Sequence, residues 1–540
     1  MGRRFFMRRK LFIFLGALTI ALAAALFLIV HSCAQDSASR LSSFSTTLGG
    51  GQSAADSPDV KETVSIDGDQ YVNSDKGYFD NNGARYRKGS ISAVLKNGTT
   101  EASAKAIGAS LGYELSRYFD ATEYSEEGDE SCIWVEYKVP EGKEEEAIKA
   151  LSQIDEVAEA HPTWVMSLFD SDSSSEYPAE TADLQPAYGE YHLVTSGFKE
   201  AWETVKCSGS TYVAVLDSGA PSQGLADLAP NIDYEKSVDM CESGSIYDSN
   251  GHGTTVSSLI SAVADGEDNG CTGCSWDAKV ISVKVADSDD ITAADVIDAI
   301  DYVSDLNCNV SSINMSFGGP EGHPWVKDQI ICIQRAIAKA RNHGIVCVAA
   351  SGNDGLLPSD LGLLPNAKMY PAACDGVVSV GATRVPSTVV GGTVFDAKLA
   401  ELSNTASSVD IVASGMAIVA WGKVADPVSS LIPHVITINR GTSFSSPQVA
   451  SAVALVKTAH GDWSADRIEA AMEKTARHCS EMTSDEGKRD DRYGYGYLDA
   501  SAAVLYESGS SSSGGQSGGS PYTGSESLEK AWLELMEDEN

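Results

Sequence analysis

Three residues of this 540-residue chain could together activate a nucleophile: Asp217, His252 and Ser443, in that order along the sequence. A serine hydroxyl attacks well only when a neighbouring base removes its proton, and a histidine base needs a carboxylate to fix its tautomer. Singly, each residue has a simpler explanation, since Asp217 begins an Asp-Ser-Gly turn and a serine at a helix start is usually a cap. Together they predict nucleophilic catalysis.

The elements expected around these residues belong to one α/β domain. Asp217 closes an apolar run, whereas His252 and Ser443 each precede a helical run. The candidate strands are 212–216, 280–285, 310–315, 345–350 and 377–380. Near-continuous Val, Ile and Ala runs indicate strands buried on both faces, and therefore a mainly parallel sheet with helices on each side. The carboxyl edge of such a sheet is where α/β proteins place their sites.

Five sequence blocks resemble the signature segments of the subtilisin-like (subtilase) serine peptidases. They are Val-Ala-Val-Leu-Asp-Ser-Gly at 213–219, Gly-His-Gly-Thr at 251–254, Asn-Met-Ser-Phe-Gly-Gly at 314–319, Ala-Ser-Gly-Asn at 350–353 and Gly-Thr-Ser-Phe-Ser-Ser-Pro at 441–447. The order Asp, His, Ser is also that of subtilisin. The resemblance implies a subtilisin-like fold and a serine endopeptidase that needs no cofactor for its chemistry.

The same resemblance assigns further roles. Asn353 would donate its side-chain amide to the oxyanion, with the backbone N–H of Ser443 as the second donor. Ser316, Phe317 and Gly318 would pair with the backbone of a protein or peptide substrate as an added strand. The expected partners are therefore protein or peptide substrates.

Two positions depart from the family pattern, and two others bear on metal binding. Thr255 and Gln448 stand where relatives often have histidine, but neither carries the reaction. Asp227 resembles a calcium-binding position of some relatives, and Asp268-Asn269 lies where others have a calcium loop. In so acidic a chain these are more simply solvated surface carboxylates. We predict no metal site, while a structural calcium stays open.

A small α+β domain of the ferredoxin-like kind is expected ahead of the catalytic region. Its candidate elements are strand 90–95, helix 101–111, strand 133–139, helix 143–154 and strand 157–166. The resemblance implies that this domain is an inhibitory propeptide. We expect the chain's own Ser443 to make the first cut between about Met166 and Tyr191.

The predicted domain boundaries follow composition. They are 1–34 signal peptide or signal anchor, 35–88 low-complexity spacer without a fold, 89–168 propeptide domain, 169–190 processing linker, 191–506 catalytic domain, 507–525 Ser/Gly-rich linker and 526–540 acidic tail. The tail is either a frayed end or a docking peptide.

The net charge and the N-terminal segment limit the expected partners and the expected cellular location. The net charge is −37, from 39 basic and 76 acidic residues, which argues against a nucleic-acid partner. A basic cluster precedes the uncharged run 11–30, which indicates export. Cleavage after Ala34 and retention as a membrane anchor both stay open, and a weak lipoprotein-like box ends at Cys33. The expected location is secreted or anchored at the cell surface.

Eleven cysteines make disulfides permissible in an exported protein. Cys271 and Cys274 form a CxxC pair without the further ligands of a zinc site, which favours loop disulfides with more distant partners. Cys347, inside an apolar run, is predicted to be a buried thiol.

Two other functions are alternatives to a self-contained protease of broad specificity. A surface binding protein on a degenerate protease scaffold would have lost a triad residue or the oxyanion Asn, yet all four positions are filled. A maturation protease devoted to one partner is the second alternative, and the sequence does not decide it.

Overall fold

The structure is a computed structural model that describes residues 63–124, 130–169, 190–264, 271–287, 290–355, 366–385, 397–406, 409–423 and 434–507. These residues lie in a single unit that spans 61–540. The predicted signal segment, the acidic tail and Asp268-Asn269 fall outside the described residues. Within them, no helix has the length and apolarity needed to cross a bilayer.

An N-terminal α+β domain is built on an antiparallel sheet. Its elements are β1 Thr63–Ile66, β2 Asp69–Ser74, β3 Gly77–Phe79, β4 Arg85–Leu95, α1 Glu101–Leu111, β5 Glu114–Asp120, β6 Ile133–Lys138, α2 Glu144–Leu151 and β7 Val157–Val165. Strands β4 to β7 lie in the order β7-β4-β6-β5, which is the ferredoxin-like arrangement expected from the sequence.

The prediction of a spacer without a fold over 35–88 is wrong for residues 63–88. Strands β1, β2 and β3 form an antiparallel meander, and β3 pairs with the start of β4. Ile66, Tyr71, Tyr78 and Phe79 are its buried apolar residues, whereas most of its other side chains are polar. Four apolar side chains therefore anchor a segment whose composition resembles that of a linker.

The remaining elements form the α/β part of the chain. They are β8 Ser167–Leu168, α3 Tyr191–Thr195, α4 Phe198–Thr204, β9 Tyr212–Asp217, β10 Val238–Asp239, α5 His252–Ser261, β11 Lys279–Lys284, α6 Ala293–Ser304, β12 Val310–Met315, β13 Phe317–Pro320, α7 Val326–Asn342, β14 Val346–Ala350, β15 Met369–Tyr370, β16 Val377–Thr383, β17 Ile411–Ser414, β18 Ile418–Lys423, β19 His434–Asn439, α8 Ser446–Ala459, α9 Ala465–Thr475 and α10 Ala500–Val504.

Seven parallel strands form the central sheet, in the order β10-β11-β9-β12-β14-β16-β17. Strands β12 and β14 are buried along their whole length, as the apolar runs predicted. Separate hydrophobic clusters lie on the two faces of the sheet, one including α6 and α7 and the other α8 and α9. The predicted α/β class with a mainly parallel sheet flanked by helices is therefore confirmed.

Ion pairs join the N-terminal domain to the α/β part. The guanidinium of Arg117 lies 3.0 Å from the carboxylate of Asp295 and 2.6 Å from that of Asp298, both on α6. Arg85 and Arg87 both reach Asp290, each at 2.7 Å. The basic side chains of one part thus meet the acidic side chains of the other.

The expected loop disulfides at Cys271 and Cys274 are not seen, because both are free thiols in the part of the chain that the structure describes. Cys347 is fully buried in β14, as predicted. Burial raises the pKa of the Cys207, Cys271 and Cys347 thiols to about 12. These thiols pack as small apolar side chains.

His161 lies where the N-terminal domain contacts the α/β part, and it makes the stability of this contact depend on pH. The ring of His161, on β7, stacks on Trp325 with centroids 4.2 Å apart. Burial, reinforced by His323, lowers the pKa of His161 from 6.5 to about 4. When the two parts separate, the exposed imidazole binds protons more tightly. The contact between them therefore loses stability as the pH falls from about 6.5 towards 4.

We therefore expect His161→Phe, which keeps an aromatic ring on Trp325, to flatten this dependence. In a chain that also carries Ser443→Ala, the free energy of unfolding should fall between pH 7.5 and 5 by about 2 kcal/mol less than in the His161 chain. Urea unfolding at both pH values measures the difference. His343→Phe, at an exposed histidine, is the control. Equal pH dependences with and without His161 would contradict the assignment.

Candidate active site

Asp217 and His252 meet at the carboxyl edge of the central sheet. Asp217 is the last residue of β9, and His252 is the first residue of α5. The Nδ1 atom of His252 lies 2.8 Å and 3.0 Å from the two carboxylate oxygens of Asp217, and both side chains are buried. Since a carboxylate only accepts, Nδ1 carries the proton, and Nε2 is left as the basic atom.

Ser443 lies in the 3₁₀ turn Thr442–Phe444, directly before α8. The ring of the adjacent Phe444 has its centroid 5.7 Å from that of His252, so the turn brings Ser443 to the histidine side of the sheet edge. The buried Ser443 hydroxyl donates to the carbonyl oxygens of Phe169, at 3.1 Å, and Ser316, at 3.4 Å.

The amide of Asn353 faces the same carbonyl group. Its Nδ2 atom donates to the carbonyl oxygen of Phe169 at 3.0 Å. Its Oδ1 atom accepts from the backbone N–H and the hydroxyl of Thr442, both at 2.9 Å. These two bonds fix which way the amide points. Thr442 thus orients the Asn353 amide, a role that the sequence analysis missed because its serine-rich block indicated only the neighbouring candidate nucleophile, Ser443.

Gly441 makes this arrangement possible. Its φ of 139° is in a region that favours glycine, and a Cβ atom there would lie 2.9 Å from Nδ2 of Asn353. A side chain at Gly441 would displace the amide from the Phe169 carbonyl.

Residues 166–169 of the same chain pair with the strand that was predicted to bind substrate. Strand β8 pairs antiparallel with β13, with Phe317 opposite Leu168 and Gly318 opposite Ser167. The N–H of Phe169 donates to the carbonyl oxygen of Ser316 at 3.3 Å. On the other side, Met166 exchanges two backbone hydrogen bonds with Ile291. Main-chain pairing on both edges holds the segment extended.

The Phe169 side chain is 8% exposed and packs in an apolar pocket. Ala350, Met369 and Ala367 contact it, and a Cβ atom on Gly318 would lie 2.7 Å from its ring. Met369 and Ala367 were missed by the sequence analysis, because nothing in their local sequence marks them as pocket residues.

Among the described residues, no cluster of three or more His, Cys, Asp or Glu side chains is arranged to hold a metal ion. Asp227 accepts hydrogen bonds from the backbone N–H of Cys271 and from the indole of Trp421. Its carboxylate is thus used within the protein.

The Subtilase family model matches residues 208–496, which is more than half of the chain. The chain belongs to the subtilase family. The matched range contains all seven predicted site residues, from Asp217 to Ser443.

Individual relatives match over shorter or longer ranges. Subtilisin amylosacchariticus from Bacillus subtilis subsp. amylosacchariticus is 30% identical over 267 residues, 49% of this chain and 60% of that protein. The cell wall-associated protease of Bacillus subtilis is 32% identical over 292 residues, 53% of this subtilase and 28% of that protein. The chain thus spans about 60% of the length of the first of these relatives.

A solved structure supports the fold over more of the chain. The crystal structure of fervidolysin from Fervidobacterium pennivorans has a TM-score of 0.55 at 19% identity, covering 79% of this subtilase and 62% of that chain. This coverage extends beyond residues 208–496, into the part of the subtilase outside the family match.

The geometry of Asn353 generates a kinetic prediction. Asn353→Ala removes the side-chain amide that donates to the Phe169 carbonyl, so a charge developing on a substrate oxygen there would lose a hydrogen bond. We expect kcat toward a peptide substrate to fall about 10²–10³-fold with little change in KM, a magnitude known from subtilisin.

Steady-state kinetics of the purified variant make the measurement. Asn342→Ala, at the end of α7, is the control for losing an asparagine elsewhere. An unchanged kcat in Asn353→Ala would remove this residue from the site.

Proposed function

We propose that this subtilase is a serine endopeptidase in which Ser443 is the nucleophile. His252 takes the proton of the Ser443 hydroxyl at Nε2 while Asp217 stabilises the imidazolium. The attacked carbonyl carbon becomes tetrahedral, and its oxygen is stabilised by the Asn353 amide and the Ser443 backbone N–H. His252 then gives the proton to the leaving amine. Water hydrolyses the resulting acyl-enzyme with the same base.

The observation that carries this proposal is the position of the Phe169 carbonyl group. Its oxygen lies within hydrogen-bonding distance of both Ser443 Oγ and Asn353 Nδ2, and its backbone is paired as a strand on β13. This is the placement that a scissile carbonyl needs, with the nucleophile and an oxyanion donor converging on it. The bond after Phe169 is the one presented for cleavage.

We further propose that the chain is made as a precursor. The N-terminal α+β domain, whose last strand runs into residues 166–169, would act as an inhibitor that blocks the substrate strand with its own end. Its cleavage after Phe169 lies within the predicted window between Met166 and Tyr191.

The basic cluster and apolar run at the N-terminus support export of this precursor. The similarity to a cell wall-associated protease agrees with a location outside the cytoplasm. We therefore propose that the protease acts as a secreted or surface-anchored enzyme on protein or peptide substrates.

Self-processing predicts a defined new N-terminus. Wild-type chain should be cut between Phe169 and Asp170, whereas Ser443→Ala should accumulate uncut, because the variant lacks the nucleophile but keeps the fold. N-terminal sequencing of the purified products identifies the bond. Ser245→Ala, at an exposed serine, should be processed like wild type. Trimming of Ser443→Ala at the same site and rate would mean that another protease matures the chain.

The pocket around the Phe169 ring predicts what the enzyme prefers before the cleaved bond. Burial of a large apolar side chain contributes about 1.5–3 kcal/mol, so kcat/KM should be roughly 10–100-fold higher for Phe than for Gly at this position. An Asp should be cleaved more slowly still, since its charge would lose water without gaining a partner.

Peptides that differ only at this residue, with the sequence Met-Ser-Leu-Xaa before the cleaved bond, provide the comparison. Equal kcat/KM values for the Phe and Asp peptides would show that this pocket does not select substrates.

A further inference from the structure

The substrate strand β13 continues into a second contact with the N-terminal domain. After Pro320, residues 322–325 (the 322–325 loop) lead from β13 to α7. The loop packs against β2, the β3–β4 turn and the start of β4. These belong to the segment that the sequence analysis took for a spacer.

The approach is closest at Gly322. A Cβ atom there would lie 2.6 Å from Ala84 Cβ and 2.8 Å from Asp80 Oδ2, and would overlap the hydroxyl of Tyr86. That hydroxyl donates to Asp80 at 2.9 Å and accepts from the N–H of His323 at 3.3 Å. No residue larger than glycine fits at position 322 while the two parts are in contact.

The next residues of the loop are held by aromatic side chains. The ring of His323 lies 5.7 Å from that of Tyr71 and 6.1 Å from that of Tyr86, measured between centroids. Its Nδ1 atom lies 3.4 Å from the carboxylate of Asp69. Tyr71 and Tyr86 are almost fully buried. The Tyr86 hydroxyl and the rings of Tyr71 and Tyr86 thus form a complementary binding site for the loop. This contact is separate from the one made by residues 166–169.

We propose that the 322–325 loop is a binding surface for the propeptide's N-terminal meander and keeps the cut propeptide on the enzyme. This rests on the proposed function. Once the bond after Phe169 is cleaved, residues 166–169 are a product end that can leave β13. A second attachment keeps that end at a high effective concentration, so it rebinds before a substrate enters. Processing and activation are then separate events, and the second depends on the loop.

Gly322→Ala tests the surface directly. The added methyl group overlaps the binding site formed by Tyr71 and Tyr86. It belongs to the α/β part of the chain, but not to Asp217, His252 or Ser443. In the full chain, the cut after Phe169 should proceed, and the cleaved fragment should then dissociate about 10–100-fold faster, as expected for an overpacked contact. The lag between cleavage, followed on gels, and the rise of activity toward a Phe peptide should shorten correspondingly.

Three variants make the result specific. Gly461→Ala is the matched control, because the nearest atom to its new Cβ is 4.0 Å away. His323→Ala removes the ring between Tyr71 and Trp325, and it decides the question if Gly322→Ala does not fold. Tyr86→Phe removes the overlapped hydroxyl, so Gly322→Ala and Tyr86→Phe combined should shorten the lag by less than the product of their separate effects.

The outcomes separate this inference from the proposed function. A wild-type chain that is cut and latent, with unchanged lags in both Gly322→Ala and His323→Ala, overturns the inference alone. A wild-type chain that is never cut and cleaves no peptide overturns the proposed function and this inference with it.

Discussion

The parallel register of the central sheet is the constraint on which the site depends. Leu216 of β9 and Ala349 of β14 both pair with Met315 of β12, so the three strands end side by side. The residues that follow are therefore neighbours: Asp217 at the end of β9, Ser316 after β12 and Asn353 after β14. Because parallel strands need long crossover connections, these residues are brought together from distant parts of the sequence.

Two further residues of the candidate site lie at or just before the start of a helix. His252 begins α5, and Ser443 lies in the 3₁₀ turn just before α8. The Ser316 hydroxyl accepts from Asn314 and donates to the carbonyl oxygen of Ser443, both at 3.0 Å. The start of β13 and the 3₁₀ turn that carries Ser443 are thereby tied to each other. A shift of β13 would therefore displace Ser443.

The features predicted well from the sequence are those with a local signal. Strand β12 was predicted with its observed bounds, and α1 was predicted from its amphipathic spacing, which the structure reproduces over the same residues. Asp217, His252 and Ser443 were singled out because each sits in a block of glycines and small residues, and the structure brings Asp217 and His252 into contact. The ferredoxin-like domain followed from its two strand-helix halves.

The features that were missed depend on contacts between distant residues. Strands β1 to β3 are short and largely polar, and their burial comes from Tyr71 and Tyr78 packing on parts of the chain they cannot specify locally. Thr442 orients Asn353 across 89 positions, and the pocket for Phe169 joins residues on β13, β14 and β15. No periodicity or spacing carries such information.

The buried cysteines bear on how long the folded enzyme would survive at the extracytoplasmic location proposed for it. With a pKa near 12 for thiols such as Cys207 and Cys347, almost none is present as the reactive thiolate at neutral pH, and oxidants cannot reach it. Unfolding restores ordinary thiol reactivity to many sites at once, and cross-linking of these thiols in an oxidising medium would prevent refolding. Its working lifetime is then governed by the rate of unfolding, and its equilibrium stability matters less.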